Sequence, residues 1–185
     1  AKKNQNFNKP LIITVGRLTP QKNHEILIKS IKGLDIYLMI IGNGEQKEYL
    51  KKLTKEMKLE SKVIFKDSVP NDKIQDYYKS ADLFALAYDP KIEGLPIPVL
   101  EAMATGLPVI IPHPINDLSD GLENFVEFAD LNQKSFSLAI KKIFEDKSYS
   151  DQLSKLSLKK SKEFDGDVTE KKEAGIYYEL LSWKK

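Results

Sequence analysis

Five short apolar runs, each separated from the next by a stretch of helical period, constrain this chain more than any other feature. Leu11 to Val15, Ile36 to Ile41, Val63 to Phe65, Asp82 to Ala87 and Pro108 to Ile111 read as strands. Between them, Asn23 to Leu34 places Ile26, Leu27, Ile31 and Leu34 on one helical face. Glu45 to Met57 carries a stripe through Tyr49, Leu50, Leu53 and Met57, and Asp72 to Ser80 and Pro96 to Thr105 read as further helices. Asn23 reads as the N-cap of the first helix, with Glu25 in its first turn and His24 on the surface. Phe125 to Ala129 reads as a last strand, and 132–185 as two or three C-terminal helices broken near Lys147-Ser148 and Phe164-Asp165-Gly166. Strands without polar alternation have both faces covered, and strand–helix repeats build parallel sheets. The expected fold is a doubly wound, Rossmann-like α/β domain of about six parallel strands flanked by helices, with a helical tail.

The length of 185 residues suits one domain. Residues 1–9 read as a linker, and the chain, which opens without methionine, is expected to be a piece of a longer protein. With 29 basic against 27 acidic residues, bulk charge gives no argument for binding nucleic acid. There is no cysteine, so disulfides, thiolate nucleophiles and cysteine metal sites are excluded. His24 and His113 are the only histidines, and no metal is expected. No run approaches the roughly 18–20 apolar residues of a membrane span, and Ala1 to Asn6 lack the apolar core of a signal peptide. A cytoplasmic location follows as an expectation. The lysines of the second helix (Lys47, Lys51, Lys52, Lys55, Lys58) read either as a solvated face or as a peripheral contact with anionic lipid.

In this fold ligands bind outside the carboxyl ends of the strands. The loops that matter are therefore 16–23, 42–45, 66–72, 88–96 and 112–124. In the first, Arg17 offers a planar fork of donors and Lys22 a point charge, next to a helix start; together they suit a phosphate. Arg17 is the only arginine among the 29 basic residues, which points to a need for the fork. Two solvated surface cations are the competing reading. In the fourth loop and the helix start beyond it, Glu93 and Glu101 stand eight residues apart around Gly94, Pro96 and Pro98. The prolines leave Gly94, Leu95, Ile97 and Val99 as backbone donors. Eight residues at helical rise span about 12 Å, too far for a glycosidase pair, so the two carboxylates bind different parts of one ligand. Glu101, between Leu100 and Ala102 in the most apolar helix, needs a partner if it is buried. Gly42-Asn43-Gly44-Glu45 reads as a plain strand-to-helix turn. His113, between Pro112 and Pro114, reads either as a ligand-facing residue or as an ordinary loop histidine.

These residues resemble a known family. Val15-Gly16-Arg17-Leu18 with Lys22, Ile40-Ile41-Gly42-Asn43-Gly44, Ala81-Asp82-Leu83-Phe84 and Glu93-Gly94 through Glu101-Ala102-Met103-Ala104-Thr105-Gly106-Leu107-Pro108-Val109-Ile110 occur in that order. They are similar to the C-terminal domain of family-4 retaining glycosyltransferases of the GT-B fold, over roughly residues 10 to 145. The resemblance implies that Arg17 and Lys22 hold a donor diphosphate and that Glu93 contacts the donor sugar. It also implies that Gly94 and Leu95 present backbone N–H groups, and that Glu101 accepts from ribose hydroxyls. Lys66 to Pro70, Val69 included, would cradle the base, and Gly16 would leave room for the diphosphate. His113 and Tyr88 are further candidates. The partners implied are a nucleotide-diphosphate sugar and a glycan or lipid-linked acceptor, the latter held mainly by an N-terminal domain absent from this chain. No metal or other cofactor is implied, and the domain alone is expected to transfer nothing.

The chain departs from the family pattern in four places. Ala87-Tyr88 replaces a common Pro-Ser, Asp89-Pro90-Lys91-Ile92 is about two residues longer than usual, Pro96 stands where glycine is common, and His113 to Glu123 replaces a Gly-Gly-x-x-Glu loop. Competing readings are a decayed binding module of the same fold, or another GT-B enzyme such as a nucleotide-sugar epimerase. A receiver domain is disfavoured, because the strand ends lack an acidic pocket.

Overall fold

The computed structural model describes residues 7–115 and 121–164. Six strands, β1 (Leu11–Val15), β2 (Tyr37–Ile41), β3 (Val63–Lys66), β4 (Leu83–Ala85), β5 (Val109–Pro112) and β6 (Glu127–Ala129), form one sheet. Its order is β3-β2-β1-β4-β5-β6, every pairing is parallel, and the direction of winding reverses between β1 and β4. The expected doubly wound sheet is therefore present, and the place where such sheets bind ligands is the carboxyl end of β1 and β4.

Successive strand residues point to opposite faces, and both faces are buried. On one, Ile12, Leu38, Ile40, Leu83 and Ile110 pack with Ile28 of α1 (His24–Ser30) and Phe136 and Ile140 of α5 (Gln133–Glu145). On the other, Leu11, Ile13, Met39, Phe84 and Val109 meet Tyr78 of α3 (Asn71–Ser80) and Val99 and Met103 of α4 (Ile97–Ala104). This is why the strands show no polar alternation. Between β2 and β3 lies α2 (Lys47–Glu56).

Several boundaries differ from the sequence reading. A single 3-10 turn, Pro20–Lys22, precedes α1. The chain then reverses at Asn23 in the left-handed conformation (φ 45°), which asparagine tolerates. Asn23 holds the N-cap position, but its side-chain amide donates back to the Gln21 carbonyl (3.3 Å) instead of capping α1. The helix stops at Ser30 rather than Leu34 because Gly33 turns left-handed (φ 81°). The tail breaks at Asp146, whose carboxylate accepts from the Tyr149 N–H (2.9 Å) and opens α6 (Lys147–Ser161). Asp165, Gly166 and the rest of the tail, like Asn116 to Asp120 of the loop after β5, lie outside the described residues.

Candidate functional site

The loop after β1 is held by the loop after β2 through backbone alone. Gly16 N–H donates to the Ile41 carbonyl (3.1 Å), Leu18 N–H to Asn43 (2.9 Å), and Gln46 N–H to Leu18 (2.9 Å). This close approach requires glycine. A Cβ on Gly42 (φ 149°) would stand 1.9 Å from the Gly16 carbonyl oxygen, and one on Gly44 would stand 2.4 Å from that of Leu18. Gly42-Asn43-Gly44 is thus a brace for the Arg17 loop as well as a turn.

The two cations of that loop part company. Arg17 is exposed and lines a cleft of about 340 Å³ with Gly16, Val69, Asn71, Ile97 and Glu101. Lys22 is buried, with only 6% of its surface accessible, and its Nζ donates to both Glu93 oxygens at 2.6 Å. That ion pair crosses the reversal between β1 and β4. Asp89 N–H reinforces it by donating to the Gln21 carbonyl (2.8 Å). The solvated-cation reading therefore fails for Lys22, because a buried ammonium needs its carboxylate.

Glu93, Gly94, Leu95 and Tyr88 line a second cavity, of about 240 Å³, with Ile111 and Phe128 on its far wall. Gly94 is exposed, and a Cβ there would meet nothing within 4 Å. Lys22 touches a lining residue of each hollow: its Nζ is bonded to Glu93, and its Cε lies 3.8 Å from where a Cβ on Gly16 would be. Of the four expected backbone donors, Val99 N–H is already engaged by the Pro96 carbonyl (2.9 Å), closing the first turn of α4, and leaves the set.

Glu101 is half-buried, and its Oε2 accepts from the Tyr78 hydroxyl at 2.8 Å. Tyr78 is the residue that sequence reasoning missed. In the sequence it is one aromatic of a helix stripe, and only the need of Glu101 for a partner could have pointed to it. Burial, and next the hydrogen bond to Glu101, push the Tyr78 phenol well above its ordinary range.

One histidine expectation changes. His24 is buried (2% accessible), not on the surface, because the 3-10 turn rotates it beneath the loop. Neither ring nitrogen has a hydrogen-bond partner among the described residues. Desolvation first, then the Lys22 charge, lowers its pKa from 6.5 to about 4, so the ring is neutral. His113 is exposed, stacks on Phe128 (5.5 Å, 23°), and lines neither hollow.

In the base-cradle segment, Val69 faces the Arg17 cleft. Lys66 lies over the Tyr77 ring (5.3 Å), and Asp67 pairs with Lys47. The lysine face of α2 is partly neutralised by Lys51–Glu48 (2.8 Å) and Lys52–Glu56 (3.9 Å). Among the described residues no helix is long and apolar enough to cross a membrane, and no three His, Asp or Glu side chains group as metal ligands.

A family model described as glycosyl transferases group 1 matches residues 1–160. An uncharacterised glycosyltransferase of Methanocaldococcus jannaschii is 36% identical over 107 residues, which are 55% of this chain and 26% of that protein. The GDP-mannose-dependent α-(1-6)-phosphatidylinositol monomannoside mannosyltransferase of Mycolicibacterium smegmatis is 29% identical over 113 residues, 56% of this chain and 30% of that protein. This chain thus spans about a third or less of these relatives. Among solved structures, sucrose-phosphate synthase from Thermosynechococcus elongatus superposes with a TM-score of 0.81 at 20% identity, over 95% of this chain and 46% of that one. The catalytic domain of cholesterol-α-glucosyltransferase from Helicobacter pylori gives 0.75 at 23% identity, over 85% and 99%. Anabaena HepE in complex with UDP and glucose gives 0.78 at 19% identity, over 95% and 48%. At these identities the structures share the fold.

Proposed function

The chain belongs to the glycosyl transferases group 1 family, with the fold of one GT-B glycosyltransferase domain, and from that premise we propose that it is the donor-binding half of a retaining, metal-independent enzyme. Its substrate is a nucleotide-diphosphate sugar. The observation that carries this reading is Lys22, buried and bonded to Glu93 across the winding reversal, beside a cleft that holds Arg17 and Glu101.

Each group then has one task. Arg17 forks onto the diphosphate. Lys22, held by Glu93 in the empty site, turns to the same phosphates and stabilises charge on the leaving group. Glu93 accepts from sugar hydroxyls near the anomeric carbon, while the Gly94 and Leu95 N–H groups address sugar or phosphate. Glu101 accepts from the ribose, and Val69 flanks the base. Gly16 keeps the cleft floor low. The acceptor, a glycan or a lipid-linked sugar, attacks from the face that the diphosphate leaves, and a phosphate oxygen takes its proton, so the anomeric configuration is retained. The UDP and glucose bound by HepE support the donor class. We place the enzyme in the cytoplasm, with the lysines of α2 available for peripheral contact with an anionic membrane. The decayed-module reading is the less favoured, since Arg17, Lys22, Glu93 and Glu101 are all present.

Calorimetric titration of the chain with UDP, GDP and ADP, without added metal, tests the proposal. Saturable binding of one nucleotide, abolished in an Arg17→Ala, Glu101→Ala double variant, is the expected result. Absence of binding by all three at millimolar concentration sinks the donor-domain assignment.

A further inference from the structure

We infer that Tyr78 is a positioning residue which holds Glu101 so that its free oxygen selects a vicinal diol, an inference that rests on the donor-binding reading above. Tyr78 and Glu101 sit on different helices, α3 and α4, and are joined by the 2.8 Å bond from the phenol to Oε2. The tyrosine has no freedom of its own. It is 0% accessible, and its ring packs against Phe84 at 5.9 Å and 57°. Packing alone does not call for the hydroxyl, because phenylalanine would fill the same space. A buried hydroxyl is costly unless bonded, so its presence at this position answers to Glu101.

The consequence lies in what Glu101 has left. A carboxylate offers about four lone-pair sites. With one of them committed to a fixed donor, the plane of the group is set, and Oε1 and the remaining Oε2 lone pair are available to the ligand. Arg17 lines the same cleft but makes no ion pair with Glu101 among the described residues, so the carboxylate is not neutralised from that side. A fixed, unneutralised acceptor pair matches two adjacent hydroxyls that both donate. It discriminates against a ligand that lacks them, because the carboxylate would then be desolvated with nothing in return. A carboxylate without the tyrosine would also have to be ordered by the ligand, at the expense of affinity.

The test uses the ribonucleoside diphosphate that binds in the titration above and its 2′,3′-dideoxy analogue. Both are titrated into the unaltered chain, Tyr78→Phe, Glu101→Ala and the double variant, with thermal melting confirming that each is folded. The unaltered chain is expected to prefer the ribo form by roughly tenfold. Tyr78→Phe is expected to reduce that preference about fivefold by weakening the ribo form alone, and to have no further effect once Glu101 is alanine. Equal weakening of both analogues, an unchanged preference, or a loss that persists in the Glu101→Ala background would each overturn the role of Tyr78 while leaving the donor reading intact. Absence of binding by the unaltered chain overturns the donor reading, and this inference with it.

Discussion

His24 shows how a single neutral ring ties the site's loop to pH. When unfolded, the imidazole takes up a proton as pH falls through 6.5, whereas when folded it resists until about 4. Between those values the unfolded state binds more protons, so stability is complete above 6.5 and declines as the pH falls. The loss is at most about 1.4 kcal/mol per pH unit, roughly 3 kcal/mol in all. His24→Leu fills similar volume and removes two buried atoms that lack partners. It is expected to match or exceed the parent in urea at pH 7 and to lose this dependence. The difference between parent and variant midpoints at pH 7 and pH 4.5 isolates the ring from carboxylates such as Glu25, whose pKa is lowered chiefly by the Tyr49 hydrogen bond. An identical pH dependence in both would contradict the assignment.

At the scale of elements, the brace between the first two loops makes the sharpest prediction. Gly42→Ala places a methyl group 1.9 Å from the Gly16 carbonyl oxygen in a conformation that L residues avoid. Destabilisation of about 3 kcal/mol is expected from urea unfolding. Nucleotide affinity should fall as well, since Gly16 and Arg17 ride on the braced segment; unaltered stability would show that the loops are not interlocked. This brace also marks where sequence reading stops. β1 to β5 were legible because burial on both faces leaves uninterrupted apolar runs, a signature that is local, whereas β6 was read within Phe125 to Ala129 although the half-buried Glu127 interrupts it. Arg17, Lys22 and Glu93 stood out as charged residues in the loops after β1 and β4, and Glu101 as a carboxylate in the most apolar helix. The Gly42 brace, the burial of His24 and the Tyr78–Glu101 bond all depend on segments distant in sequence. Tyr78 is 23 residues from Glu101, and Lys22 is 71 from Glu93. No local pattern records such pairings.

The described residues form one sheet with the candidate site at one end, and the chain spans about a third or less of the length of the relatives named above. The isolated chain is therefore expected to bind donor without transferring sugar. Mixing it with a nucleotide sugar and candidate acceptors should release no nucleotide above the background of buffer alone, and robust turnover would mean that the acceptor site lies within this chain.

If the chain binds its donor as proposed above, the bond between Lys22 and Glu93 also determines what the resting site ignores. An empty pocket that displayed a bare cation would collect any passing anion. Here the cation and carboxylate satisfy each other, so inorganic phosphate, which carries charge but brings no array of sugar hydroxyls, must part them and leave Glu93 with nothing in exchange. A sugar diphosphate brings an anion for the lysine and hydroxyls for the glutamate in one molecule. The pair thus acts as a lock with two wards, opened by a ligand that carries both features.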